Sequence, residues 1–149
     1  MKKYVYIGAF GFLGAIARFA VKQIDFSAIF QYFPINTFLI NMLGSFLFSF
    51  IVTFAAETGK VDHNLRLGLT AGFLGTFTTF ATLCRDAVTL VQSGRTAEML
   101  VYIAASLGGG LLAVWGGAVL VRSRVLKLLK APDLSDGKAR DETTGDSEH

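Results

Sequence analysis

The sequence predicts an all-α membrane protein of four transmembrane helices whose core can insert in either orientation. Three observations carry this reading. Hydrophobic residues make up 52% of the 149-residue chain, 14 of them phenylalanine, and the mean hydropathy is +0.52, well outside soluble proportions. Four stretches reach the ~20 mostly apolar residues that a membrane crossing requires. Lys and Arg divide evenly between the two sides of those four stretches, so the charge rule for orientation has no bias to act on.

The first span runs from Tyr4 to about Val21 after Lys2-Lys3, and is interrupted by Arg18. Its start resembles a signal peptide, but it lacks a small-x-small cleavage site and more spans follow, so it reads as a helix that is kept. The charge-free run from Phe26 to Ala56 is too long for one crossing. Pro34 divides it into an aromatic, interfacial lead-in (Phe26, Phe30, Tyr32, Phe33) and a second span from about Ile35 to Ala56. The third span runs from about Leu67 to Val91 and the fourth from Met99 to Val121. Short connections make neighbours antiparallel, and an even number of spans puts both termini on one side.

The third span contains the least ordinary stretch, Gly72 to Leu83, uncharged but rich in glycine and threonine. Two glycines three apart followed by Thr76, Thr78 and Thr79 weaken a helix where backbone carbonyls are available for other use. From composition alone it is either a broken helix lining a path or a close helix–helix contact, since small residues also permit tight approach. Gly8, Gly11, Gly14 and Ala15 in span one, Gly68 and Gly72 in span three, and Gly109, Ala113 and Gly117 in span four form stripes whose commonest meaning is packing. Gly108-Gly109-Gly110 lacks the preceding strand and the Lys-Ser/Thr of a phosphate loop.

Residues 1–121 hold 8 basic and 5 acidic side chains, and residues 122–149 hold 6 of each. The net +3 therefore lies beside the apolar spans, which favours lipid headgroups over nucleic acid as its partner. The N-terminal side of the core takes Lys2, Lys3, Lys60 and Arg66, the other side Arg18, Lys22, Arg85 and Arg95. A core without bias inserts either way, and chains inserted both ways can pair antiparallel. After Val121, Arg122, Arg124, Lys127 and Lys130 alternate with Val125, Leu126, Leu128 and Leu129, a basic amphipathic extension. Residues beyond Pro132 are polar and expected to be disordered, giving a four-helix transmembrane unit over 1–124 and an extension with a tail over 125–149.

The polar groups inside the spans restrict the chemistry. Arg18 stands 15 residues after Lys3, roughly 22 Å along a helix, and so reaches the far interface. Asn41 lies inside span two, either as interhelical glue or as an N–H donor to an anion. Thr37 and Asn41, and Tyr102 and Ser106, form one-face pairs at helical spacing. The only carboxylate in a span is Asp86, beside Arg85. Small drug-cation exporters of the same size and topology carry an acid in their first helix, where this chain has Arg18. His63 and His149 do not assemble with a nucleophile or a metal cluster, and Cys84 is single, which tells against an enzyme. A non-conducting assembly protein is the remaining alternative.

Gly11-Phe-Leu-Gly14-Ala15-Ile-Ala-Arg18-Phe, Asn36-Thr37-Phe-Leu-Ile-Asn41-Met-Leu-Gly44-Ser45 and Gly72-Phe-Leu-Gly75-Thr-Phe-Thr78-Thr79-Phe80 stand in the order and spacing of three motifs of the Fluc/CrcB fluoride channels. The sequence resembles that family over nearly all of residues 4 to 121. The resemblance implies passive, fluoride-selective efflux across the bacterial inner membrane through two pathways of an antiparallel homodimer, with a structural sodium ion at its centre. It implies Gly75 and Thr78 as the backbone carbonyl ligands of sodium. Asn41, Thr79 and Phe80 fall on the fluoride path, Thr37, Tyr102 and Ser106 on weaker pore-lining positions, and Arg18 near the aqueous vestibule. The chain departs from the pattern at Ala81 and Leu83, where the family often has serine and phenylalanine.

Overall fold

The computed structural model describes residues 2–24, 33–59, 61–125 and 127. Among these the chain is helical throughout, with four helical units long and apolar enough to cross a membrane. Helix α1 covers Lys2–Lys22 and α2 covers Ile35–Thr58. The third unit begins earlier than its apolar run, at His63, because the Asp62 carboxylate accepts from the amides of Asn64 and Leu65 and so caps α3 (His63–Leu67). It continues through a wider π-type turn at Gly68–Leu74, α4 (Gly75–Phe77) and α5 (Phe80–Gln92). The fourth unit is α6 (Thr96–Leu120), prolonged by a π-type turn over Val121–Val125.

Pro34 precedes α2 as the sequence suggests, and Gly59 closes that helix with a positive φ of 63° and an N–H that donates to the Ala55 carbonyl. The aromatic lead-in and the tail beyond Lys127 lie outside the described residues, except for Phe33, whose ring meets Tyr102 edge-on with centroids 5.4 Å apart.

The four units pack as two parallel pairs. Gly68 lies against Phe10, Gly72 against Ile7 and Phe10, and Gly14 against Phe73, so α1 runs alongside the third unit in the same direction. Gly109 receives Met42 and Gly117 faces the Phe46 carbonyl, so α2 and α6 are likewise parallel. A Cβ on Gly72 would come within 2.6 Å of the Ile7 carbonyl, and one on Gly117 within 2.6 Å of the Phe46 carbonyl. These glycines permit backbone-to-backbone approach, the packing that lipid, offering no hydrophobic drive between helices, leaves to dispersion. Among the described residues nothing lies within 4 Å of the position a Cβ on Gly8 would take.

Two hydroxyls fix these contacts. Thr76 Oγ1 lies 2.8 Å from the Gly11 carbonyl on α1, and Ser49 donates to the Val114 carbonyl at 2.6 Å. The pairs are joined by Asn36, whose amide donates to the Ile24 carbonyl at 2.9 Å, closing the end of α1 onto the start of α2. Arg122 reaches Glu57 at 3.0 Å at the opposite end.

Candidate functional site

Near the middle of the third unit the backbone leaves the helix for two residues. Thr78 has φ −72° and ψ 157°, Thr79 has φ −151° and ψ 109°, and helix resumes at Phe80. In a continuous helix the Thr79 amide would bond to the Gly75 carbonyl and the Thr82 amide to that of Thr78. Instead the Thr79 amide donates to Asn41 Oδ1 at 2.9 Å, and the Thr82 amide donates to Thr79 Oγ1 at 3.2 Å. The carbonyls of Gly75 and Thr78 are thereby released from those two donors. The Thr79 hydroxyl caps α5 and also lies 2.9 Å from Thr82 Oγ1.

Asn41 completes the exchange, its Nδ2 donating to the Thr79 carbonyl at 3.2 Å. A carboxamide has two N–H groups, so one remains beyond this clamp. Thr78 is held by its own hydroxyl, which donates to the Leu74 carbonyl at 2.8 Å, and its methyl occupies the space that a Cβ on Gly44 would need. The third unit can approach α2 here because residue 44 has no side chain.

These residues line one open cleft of about 390 Å³ between α2 and the third unit, bounded by Asn41, Gly75, Thr78, Thr79 and Phe80. Phe80 is 79% exposed, an aromatic ring presented rather than packed. Sequence reasoning missed Ser45, Phe48 and Thr70 as further lining residues. Ser45 and Phe48 were within reach of it, since they follow Asn41 at intervals of four and three on one helix face. Thr70 was not, because its side of the cleft depends on the π-type turn.

Thr37, Tyr102 and Ser106 form a second group, buried between α2 and α6. Tyr102 is fully buried, with Thr37 within hydrogen-bonding reach of its phenol and Asp86 Oδ2 at 3.5 Å. The Ser106 hydroxyl is buried without a hydrogen-bond partner among the described residues. Arg18 is half-buried towards the end of α1 and does not line the cleft. No group of three His, Cys, Asp or Glu side chains occurs among the described residues.

The profile of the CrcB-like proteins, described as camphor resistance (CrcB), matches residues 5–118, which takes in all four helical units. The chain belongs to the CrcB family. Relatives within the family include the fluoride-specific ion channel FluC of Chlorobaculum tepidum, 40% identical over 123 residues, 82% of this chain and 96% of the relative. FluC 2 of Geobacillus kaustophilus is 40% identical over 114 residues, 76% of this chain and 88% of the relative. FluC of Rhizobium meliloti is 35% identical over 125 residues, 84% of this chain and all of the relative. This CrcB chain, with its four apolar helical units, is a multi-pass membrane protein.

Proposed function

We propose that the chain is the subunit of a fluoride-selective channel that lets the ion run passively down its gradient, with no enzymatic step. Its relatives' names give the ion, and the cleft supplies a suitable chemistry. Fluoride is small and tightly hydrated, so a selective path replaces water with compact donors: amide N–H, hydroxyl O–H and the positive edges of aromatic rings. The observation that carries the reading is the Asn41–Thr79 clamp, which holds a spare amide N–H beside the exposed Phe80 ring without any buried cation to trap the ion. The unpartnered Ser106 hydroxyl adds a donor in the neighbouring buried group. A drug-cation exporter fits less well, because no carboxylate lines the cleft among the described residues.

The working unit in this reading is an antiparallel homodimer with two pathways. Four helices leave the cleft open on one side, and a second copy would close it. The break in the third unit lies at the dimer centre, where the released Gly75 and Thr78 carbonyls of both copies suit a hard cation such as sodium, which takes oxygen ligands. Sodium there would neutralise carbonyl dipoles that otherwise face one another. Purified protein in fluoride-loaded liposomes, followed with a fluoride electrode, should empty them quickly and leave chloride-loaded ones full. Retention of fluoride by liposomes that contain folded protein would overturn the reading.

A further inference from the structure

The two ends of the helix bundle differ in free charge. Because the helix pairs are parallel within themselves and antiparallel to each other, the start of α1, the end of α2, the start of α3 and the extension of α6 share one end. Among the described residues that end carries Lys2, Lys3, Arg66, Arg122, Arg124 and Lys127 against two acids, Glu57 and Asp62. Both acids are engaged: Glu57 pairs with Arg122 at 3.0 Å, and Asp62 accepts the two amides that begin α3. Arg124 and Lys127 are exposed and have no ion pair among the described residues. They follow directly on apolar α6 and the fully buried Val121 that begins the π-type turn, so they lie where a span leaves the hydrocarbon.

We propose that this end of the bundle is a docking surface for anionic phospholipid headgroups, with Arg124 and Lys127 as its free cations. The Glu57–Arg122 pair joins the ends of α2 and α6 and so fixes the base from which the two cations project. Cations at this depth beside an apolar surface suit a ligand with a phosphate at the interface and acyl chains along α6. Towards the bilayer interior from these cations α6 offers apolar surface for acyl chains, since Leu111, Leu112 and Trp115 are all at least two-thirds exposed. An inorganic phosphate ion would satisfy the charge but not that face.

The chain's single tryptophan is a built-in reporter. Trp115 stands seven residues before Arg122, roughly 10 Å deeper along the helix, at the depth of mid-chain bromine atoms in a lipid. Full-length protein is reconstituted in phosphatidylcholine bilayers containing equal fractions of brominated phosphatidylglycerol or brominated phosphatidylcholine, and Trp115 quenching is compared. The expected result is several-fold enrichment of the anionic lipid, lost in Arg124→Gln/Lys127→Gln and inverted to depletion in Arg124→Glu/Lys127→Glu. Equal quenching by both lipids in the unaltered protein, or an excess that survives both variants, overturns the proposal. Removal of the excess by inorganic phosphate, but not by sulfate-free salt of equal ionic strength, would assign the cations to a free anion instead and also overturn it. Both cations are exposed, so folding is expected to persist, and helical circular dichroism of each variant checks it. The readout does not involve fluoride conduction.

Discussion

Asn41 and Thr79 are joined by two hydrogen bonds, one of which gives the Thr79 amide the acceptor it loses where the helix of the third unit stops. The same carboxamide closes the gap in the chain and retains one N–H for a ligand. Glue and donor, the two roles that compete on sequence grounds, are compatible in one residue.

Asn41→Asp separates them. The carboxylate can still accept the Thr79 amide, but it meets the Thr79 carbonyl oxygen with negative charge and has no N–H to offer. Fluoride flux should fall by about 10- to 100-fold from the lost donor alone, and charge repulsion of the ion should lower it further. Flux equal to the unaltered protein, measured with a fluoride electrode on liposomes holding the same amount of protein, would remove Asn41 from the path.

Thr76→Val tests the support beneath the cleft. The Thr76 hydroxyl lies within 3.1 Å of three carbonyls, those of Gly11, Gly72 and Phe73, and ties the third unit to α1. Valine keeps the shape and removes the donor, which should cost about 1 kcal/mol. Denaturation in detergent should show that loss, and Thr76→Ser should recover most of it. If Val and Ser variants are equally stable, the hydroxyl contributes nothing to this contact.

Much of the fold was legible in the sequence because lipid imposes a simple rule: apolar runs of sufficient length become helices. Pro34 marked the start of α2, and the glycines at 11, 14, 72, 109 and 117 marked faces that do come together. Gly8 lies in the same stripe and has no close neighbour among the described residues, since a spacing states which residues share a face and not how far along it a neighbour extends. The start of the third unit at His63 was missed because a capping aspartate extends a helix beyond its apolar residues. The Thr78-Thr79 stretch was visible as a weak helix, but its partner was not. Asn41 and Thr79 are 38 residues apart, and no local periodicity connects them.

The released carbonyls of Gly75 and Thr78 predict a dependence on sodium. In the proposed antiparallel dimer these carbonyls would face those of the second copy, so reconstitution with sodium rigorously replaced by a bulky organic cation should lower flux or weaken that dimer, because facing carbonyl dipoles repel when nothing lies between them. Size-exclusion chromatography and the liposome assay read the two effects separately. If neither changes, these carbonyls hold no ion.

The proposed dual orientation rests on the equal division of charge in the core. In a chain truncated after Val121, with Cys84→Ser and a single cysteine placed at the N-terminus, an impermeant thiol reagent should label about half of the molecules from each side of the membrane. Labelling from one side only would exclude an antiparallel pair. The truncation also removes Arg124 and Lys127, so the full-length chain should show a stronger preference than the truncated one.

Leu83 lies one turn beyond Phe80 on α5, at a position where family resemblance leads one to expect a second phenylalanine. It is half-buried, whereas Phe80 is 79% exposed. A ring at 83 could turn its positive edge towards a passing anion, but leucine presents only methyl groups and cannot replace a water of hydration. If two rings act in succession, loss of one raises the barrier between them, and each ~1.4 kcal/mol of barrier slows passage about tenfold. Leu83→Phe should therefore conduct fluoride faster than the natural chain, by up to about tenfold, with selectivity over chloride unchanged. Side chains of similar size make a folding defect a poor explanation for any difference, and thermal unfolding of both proteins in detergent checks it. Equal rates in the same liposome assay would assign the aromatic role to Phe80 alone and leave position 83 with packing.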